Sequence, residues 1–281
     1  MQIMQDYLQR YSLPKALIVF ILAQLIGTAL ALGLVKVAPS LASLPGVGLE
    51  ISRGVPALLI IIFFWLEMVV KKVNYSQSLG QVFERITRFD IVALTLFNLA
   101  IGILSILVIL YGIHLFSPSS FDDALDSKQS SLIGLLVAGI MATIIAPISE
   151  EIVFRGWLFN ALKRKMPIWP ALIFSSIAFS AIHPSLSSIT TFLFGLCVAI
   201  AYYKTQNLWV GIIIHALNNF LISVQGILEH VLIQRGLVDE AANFNQIALM
   251  LGVPGLLLTV SLGYYLVKQR QFFNLRVPLY P

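Results

Sequence analysis

Apolar residues run along this chain in eight blocks, at about 14–37, 54–70, 91–116, 131–149, 170–184, 188–203, 208–224 and 247–267. Charged and turn-forming residues collect between them. A helix needs roughly 20 apolar residues to cross a hydrocarbon core about 30 Å thick. A lipid-embedded segment must also satisfy its backbone internally, which a helix does. The pattern therefore predicts an all-α, polytopic membrane protein of about eight transmembrane helices, in one integral membrane domain over 1–281. The first run, Leu13 to Val37, is long enough to span and stay, so it is not read as a cleaved signal. The chain shows neither an internal repeat nor a low-complexity tract.

Two segments do not fit a span. Tyr75 to Arg88 mixes Leu79, Val82, Phe83 and Ile86 with Gln81, Glu84 and Arg85 at helical spacing, which predicts an amphipathic helix on the membrane surface. Gly226 to Gln246 reads as a loop on the outer side, with or without a short helix. The blocks at 170–184 and 188–203 are short. They read as a hairpin that stops below the outer surface, turning at Pro184, Ser185, Ser187 and Ser188.

Composition agrees. The chain has 281 residues, 58% hydrophobic and 11% charged, with a mean hydropathy of +0.90; soluble domains carry about 25% charged residues. The net charge of +5 points to membrane sidedness rather than to nucleic acid. With the N-terminus placed in the cytoplasm, the inner side collects Arg10, Lys15, Lys71, Lys72, Arg85, Arg88, Arg155, Lys163, Arg164, Lys165, Lys204, Lys268, Arg270 and Arg276. The outer side receives Lys36, Arg53, Lys128 and Arg235. That split of the 18 basic residues, 14 against 4, predicts N-in and C-in. The loop with Asp122, Asp123 and Asp126 then falls outside. Cys197 is the single cysteine, which rules out an intramolecular disulfide and a thiolate metal site. The expected location is the plasma membrane, as a multi-pass protein.

Against this background a few polar residues stand out. Ser149-Glu150-Glu151-Ile152-Val153-Phe154-Arg155-Gly156 follows the apolar stretch Leu132 to Ile148. Phe179-x-x-x-His183 and His215-x-x-x-Asn219 lie in two further apolar blocks. Ionisable groups at membrane depth are costly and mark function. Depth tests whether they can meet. Glu150 precedes the inner-edge Lys163 by 13 residues, and His183 follows the inner-edge Pro170 by 13, each roughly 20 Å of helix. His215 and Asn219 follow Leu208 by 7 and 11 residues, roughly 10 and 16 Å. All four fall in one middle layer. Pro147 is placed to kink the fourth helix.

The types suggest hydrolysis. Glu150 is the candidate general base, since a carboxylate held out of water gains affinity for protons. Glu151 and Arg155, four apart with the acid first, are spaced for a helical ion pair; Arg155 could instead bind a substrate carboxylate. His183 could hold the water with Glu150 or ligate a metal. His215 and Asn219 share a helix face, where their donors could stabilise an oxyanion. Phe179 reads as packing beside His183. Metal binding stays open. Glu150, His183 and His215 match a catalytic zinc set in type, but the H-E-x-x-H frame is missing, and a metal-free glutamate mechanism uses the same residues.

Other polar groups carry less. Gln24 and Asn98 read as helix–helix hydrogen bonders. Glu67 is one turn from Lys71, which predicts an interfacial ion pair. His114 and His230 fall near or beyond the outer surface. Trp157, Trp169 and Trp209 read as interfacial anchors near the inner edge.

At these residues the chain resembles the CAAX prenyl-protease and bacteriocin-processing (CPBP, or Abi) family of intramembrane proteases. The family's E-E-x-x-x-R corresponds to Glu150, Glu151 and Arg155, followed by Gly156. Its F-x-x-x-H is Phe179 and His183, and its H-x-x-x-N is His215 and Asn219. Tyr202 to Trp209 also resembles the family's approach to the last motif. Gln206 stands where glycine is common, which touches a turn rather than the chemistry. The resemblance covers about Leu132 to Leu221, within a core at 131–222. It implies peptide-bond hydrolysis in the membrane, with Glu150 and His183 activating water, Glu151 and Arg155 supporting them, and His215 and Asn219 forming the oxyanion site. The eukaryotic branch removes three residues after a prenylated cysteine; bacterial branches are linked to bacteriocin self-immunity and peptide maturation.

The expected activity is thus an intramembrane endopeptidase acting on a membrane-associated peptide or protein, prenylated or not. Its partners would be that substrate and the bilayer, with no nucleic acid. The alternative is a non-proteolytic membrane protein that binds a partner, such as an immunity factor or a regulator; the intact motif set favours the enzyme. A transporter would be expected to show paired, broken-helix repeats. The serine G-x-S-x and aspartyl G-x-G-D signatures of other intramembrane proteases are absent from the apolar blocks.

Overall fold

A computed structural model describes residues 2–116, 131–183, 188–237 and 252–268. Helices dominate it. In chain order they are α1 (Met4–Gln9), α2 (Leu13–Val37), α3 (Pro39–Ala42), α4 (Val47–Val70), α5 (Tyr75–Gly80), α6 (Val82–Arg85), α7 (Arg88–Phe116), α8 (Leu132–Lys163), α9 (Ile168–Ala181), α10 (Ser188–Thr205), α11 (Leu208–Gln234) and α12 (Val253–Lys268). Two short strands, β1 (Gln2–Ile3) and β2 (Val73–Asn74), pair in parallel. Among the described residues, six helices are long and apolar enough to cross a membrane: α2, α4, α7, α8, α10 and α11. The apolar α9 and α12 are shorter, at 14 and 16 residues. The fold is an all-α polytopic membrane fold, as the apolar blocks predict.

The helices pair by close approach. α2 lies along α4, α12 along α7, and α7 along both α10 and α11. Gly27 of α2 meets Pro56 of α4 so tightly that a Cβ would fall 2.6 Å from the proline Cα. Small residues at helix crossings serve this purpose in lipid. The outward faces are apolar instead: Leu25, Leu32, Val108 and Leu257 are all exposed, as suits hydrocarbon contact.

Several expectations are corrected. The fourth block does not end near residue 149; α8 continues to Lys163. It does so through two π-helical stretches, Met141–Ile145 and Ile152–Phe159. α10, at 18 residues, reaches spanning length, whereas α9 is as short as the hairpin reading requires. The hairpin's turn at Pro184 to Ser187 lies outside the described residues. The helix allowed for in Gly226 to Gln246 is the end of α11, which runs on to Gln234 rather than stopping near 224; the segment beyond Leu237 lies outside the described residues, as do Asp122, Asp123 and Asp126. Tyr75 to Arg88 forms two short helices broken at Gln81 rather than one. Val82 and Ile86 are buried, while Leu79 and Phe83 remain exposed. Asn207 donates to the Ser78 carbonyl (2.7 Å) and Arg85 to the Thr205 carbonyl (3.1 Å), tying this segment to the α10–α11 turn.

One polar pairing and one tryptophan also differ. Glu67 pairs with Lys15, not Lys71, and accepts from the Tyr11 hydroxyl at 2.9 Å. Lys71 is the C-cap of α4 and points into solvent, so the i+4 rule for two helical residues does not apply to it. Trp157 is not interfacial. It is fully buried, stacked on Tyr11 with ring centroids 5.1 Å apart. Trp169 is exposed. Asn98 donates to the Leu94 carbonyl of its own helix at 2.9 Å and also hydrogen-bonds Cys197 on α10, the helix–helix contact expected of it.

Candidate active site

The site begins with a defect in α8. In the first π-helical stretch the Ala146 N–H reaches back to the Met141 carbonyl. The next carbonyl, that of Ala142, would take its hydrogen bond from residue 147. Residue 147 is proline and has no N–H to give. The Asn219 side-chain amide supplies the missing donor, 2.8 Å from the Ala142 oxygen. π-Bulges gather at functional positions because they rotate the residues that follow. Here they precede and flank Glu150, Glu151 and Arg155.

Glu151 is completely buried, and Arg155 is 1% exposed. One carboxylate oxygen, Oε1, accepts from Arg155 Nη1 at 2.9 Å and from His215 Nδ1 at 3.0 Å. Arg155 Nη2 donates to the Gly195 carbonyl at 2.9 Å, and its guanidinium lies 4.5 Å from the centre of the Phe179 ring. Arg155 is thus committed on all sides and is not placed to receive a substrate carboxylate. A buried ion pair depends on what satisfies its remaining donors and acceptors; the Gly195 carbonyl and the Phe179 ring serve Arg155, while Glu151 Oε2 makes no hydrogen bond within the protein.

Glycines make the room. A Cβ on Gly211 would fall 2.9 Å from Glu151 Oε2, and one on Gly195 would fall 3.0 Å from Phe179 Cδ1. Asn160, also fully buried, donates to the carbonyls of Gly156 (2.9 Å) and Arg155 (3.2 Å) within the second π-helical stretch, and to the Tyr202 hydroxyl at 2.7 Å. Sequence reasoning missed Gly195, Gly211, Asn160 and Tyr202. Only the two glycines left a usable signal, as small residues inside apolar blocks.

Glu150 points the other way. Its Oε2 makes no hydrogen bond within the protein and is shut off from solvent. It lies 3.9 Å from His183 Nε2 and 3.9 Å from His215 Nε2. The tautomers follow from the opposite ring nitrogens. His183 Nδ1 is 3.0 Å from the Phe179 carbonyl, which can only accept. His215 Nδ1 faces Glu151, which already accepts from Arg155. Both Nδ1 atoms therefore carry hydrogen. In the neutral rings both Nε2 atoms then present lone pairs toward Glu150 Oε2. Three acceptors converge on one point, and such a cluster is complementary to a donor or a cation. The His183 side chain, 33% exposed, is the most open of the three.

A metal is tested by the same geometry. The donor types and inward lone pairs fit zinc, and the Glu151–His215 contact matches the carboxylate that orients a metal-bound histidine. The spacing does not fit. Ligands at about 2.0–2.1 Å from a tetrahedral zinc stand roughly 3.3 Å apart, shorter than the 3.9 Å found on both edges. Among the described residues no group of three histidine, cysteine or acidic side chains has a metal-holding arrangement.

Five of the six residues singled out from the sequence therefore meet: Glu150, Glu151, Arg155, His183 and His215. Asn219 lies one turn beyond His215, engaged with Ala142. Phe179 packs against His183, with ring centroids 5.0 Å apart, as expected.

The residues that meet here lie in a stretch with known relatives. Residues 132–221 match the family model for type II CAAX prenyl endopeptidases described as Rce1-like. Over 88 residues the chain is 34% identical to "Putative membrane peptidase YdiL" of Bacillus subtilis (strain 168), which covers 31% of this chain and 36% of that protein. The chain thus matches about a third of the length of this curated relative. No solved structure matches. The matched segment, from the first turn of α8 to the middle of α11, contains all three motifs and is similar to the Rce1-like family there.

Proposed function

We propose that this chain is an intramembrane endopeptidase, with residues 131–222 as its catalytic core. The observation that carries the reading is the convergence of Glu150 Oε2 with the Nε2 atoms of His183 and His215. A water molecule suits that point because it can donate to two of the three acceptors while its oxygen stays free to attack.

Glu150 takes a proton from the water as its oxygen adds to the scissile carbonyl carbon. His183 Nε2 holds the water beside it. The carbonyl oxygen becomes an oxyanion, which needs fixed donors. His215 Nε2 faces the same space and is one donor when it carries hydrogen. Asn219 keeps a second amide N–H for the same use. The carbon–nitrogen bond then breaks, and the proton held by Glu150 passes to the leaving amine. Glu151 and Arg155 touch no reacting atom; they position His215. No step is routed through a metal. Zinc on Glu150, His183 and His215 would require both edges to contract.

The substrate class that fits is a membrane-associated peptide or protein, and the resemblance extends this to prenylated C-termini. The charge split supports both termini inside across eight crossings, and we propose the plasma membrane as the location.

The test is a proteomic comparison of membranes from cells carrying wild type or Glu150→Ala. Peptides that disappear only with wild type, and whose cleavage by chelator-treated enzyme persists, support the reading. Identical membrane proteomes would favour a non-proteolytic binding protein. Activity lost to chelator and restored by zinc alone would transfer the water to a metal.

A further inference from the structure

A cleft lies away from the proposed catalytic residues, where α1 meets the start of α2 and the end of α4. It has a volume of about 200 Å³ and is lined by Tyr7, Arg10, Tyr11, Lys15, Glu67 and Lys71, among others. Its one carboxylate, Glu67, is buried and already paired with Lys15 and the Tyr11 hydroxyl. Burial first, then the hydrogen bond and charge of Glu67, push both tyrosine hydroxyls well above their ordinary pKa, so they stay neutral. Lys15 offsets Glu67, and Arg10 and Lys71 remain as exposed cations at the rim.

The position is specific. Arg10 and Lys15 flank the start of the apolar helix α2, and Lys71 follows directly on the end of α4. All three cations therefore stand at the apolar–polar boundary, the level at which phospholipid phosphates lie. Apolar side chains begin immediately below them: Leu17, Leu66 and Val70 are 50%, 49% and 75% exposed. The cleft wall is built rather than loose. Arg164 donates to the Gln9 and Tyr11 carbonyls, and Gln5 donates to the Tyr202 hydroxyl at 2.9 Å.

We propose that this cleft binds the headgroup of an anionic phospholipid, its phosphate between Arg10 and Lys71 and its acyl chains along Leu17, Leu66 and Val70. A free phosphate would use the cations but not the apolar wall. Basic residues near a membrane surface each favour anionic lipid, and a cleft concentrates that preference at one place. The bound lipid would rest against Tyr11, which stacks on Trp157 in the same π-helical stretch as Arg155. The proposal does not depend on the peptidase reading.

The test is native mass spectrometry of the full-length protein in detergent, titrated with phosphatidylglycerol or phosphatidylcholine. Wild type is expected to retain one phosphatidylglycerol in preference to phosphatidylcholine. Arg10→Gln with Lys71→Gln should weaken retention roughly 30-fold. Lys268→Gln, another exposed cation outside the cleft, should leave it unchanged. Both cleft cations are exposed, so folding does not depend on them, and Arg10→Lys should restore most of the binding. Equal loss in the Lys268 variant, or no loss in the double variant, would show diffuse attraction and overturn the site. Displacement of the lipid by millimolar inorganic phosphate would overturn the lipid assignment in favour of a soluble phosphate.

Discussion

Asn219 donates its side-chain amide to the carbonyl of Ala142, 2.8 Å away on a different helix. That carbonyl is short of a donor because Pro147 stands where the π-helical pattern would bring an N–H. The pair fixes α11 against α8 one turn from His215.

This relationship predicts a coupling. Asn219→Ala should destabilise the protein by about 1–3 kcal/mol, the cost of a buried polar group left unpaired. In a Pro147→Ala background, residue 147 supplies its own N–H, and the same change should cost markedly less. A double-mutant cycle on melting in detergent measures the difference. Equal costs in the two backgrounds would mean that Asn219 does not serve Ala142. If Asn219 also stabilises an oxyanion, the double variant recovers stability without recovering activity.

The buried ion pair gives a second prediction. Arg155→Ala leaves Glu151 charged and unpaired in the protein interior, at a cost of about 3–5 kcal/mol. Folded yield should fall together with activity. Glu151→Gln combined with Arg155→Met should recover yield, yet activity should stay low because His215 loses its charged partner. A melting temperature unchanged in both variants would contradict the pairing of Arg155 and Glu151.

Gln206 gives a third. It has φ of +49°, a left-handed conformation that side chains other than glycine resist by about 1–2 kcal/mol. Its side chain accepts from Gln5 and Gln9 at 3.2 and 3.1 Å, holding α1 in place. Gln206→Gly should relieve the backbone and release α1, with little net change in stability. Hydrogen exchange over Met4 to Gln9 should then rise at least several-fold. Unchanged protection there would mean that α1 is held by packing alone.

Orientation is tested in intact cells, in a Cys197→Ser background. Ser76→Cys and Asn274→Cys should react only with membrane-permeant thiol reagents, and Asp123→Cys with impermeant ones. The basis is the division of basic residues, 13 against 4 once the buried Arg155 is set aside. Labelling of Ser76→Cys from outside would invert the protein.

The spans and the meeting of Glu150 with the two histidines were legible because each is a contrast in one dimension. Polar residues inside apolar blocks stand out, and a rise of about 1.5 Å per residue gives their depth. What was not legible depends on registers and on distant partners. The π-helical stretches arise from Pro147 and from support by Asn219 and Asn160, which no local pattern announces. Lys15 reaches Glu67 from another helix, where local spacing favoured Lys71. Trp157 is buried because Tyr11, far away in sequence, covers it. α11 continues past Gly226 because a single glycine costs a helix only about 1 kcal/mol.

In the proposed mechanism Glu150 activates the water. The most direct measurement is cleavage, by purified protein in detergent, of a substrate identified in membranes, with Glu150→Gln compared against wild type. Glutamine keeps the shape and cannot take the proton. The account predicts loss of at least about 100-fold in kcat, the low end of what a positioned general base supplies, with melting temperature and substrate binding preserved. Cleavage by Glu150→Gln at the wild-type rate would contradict it.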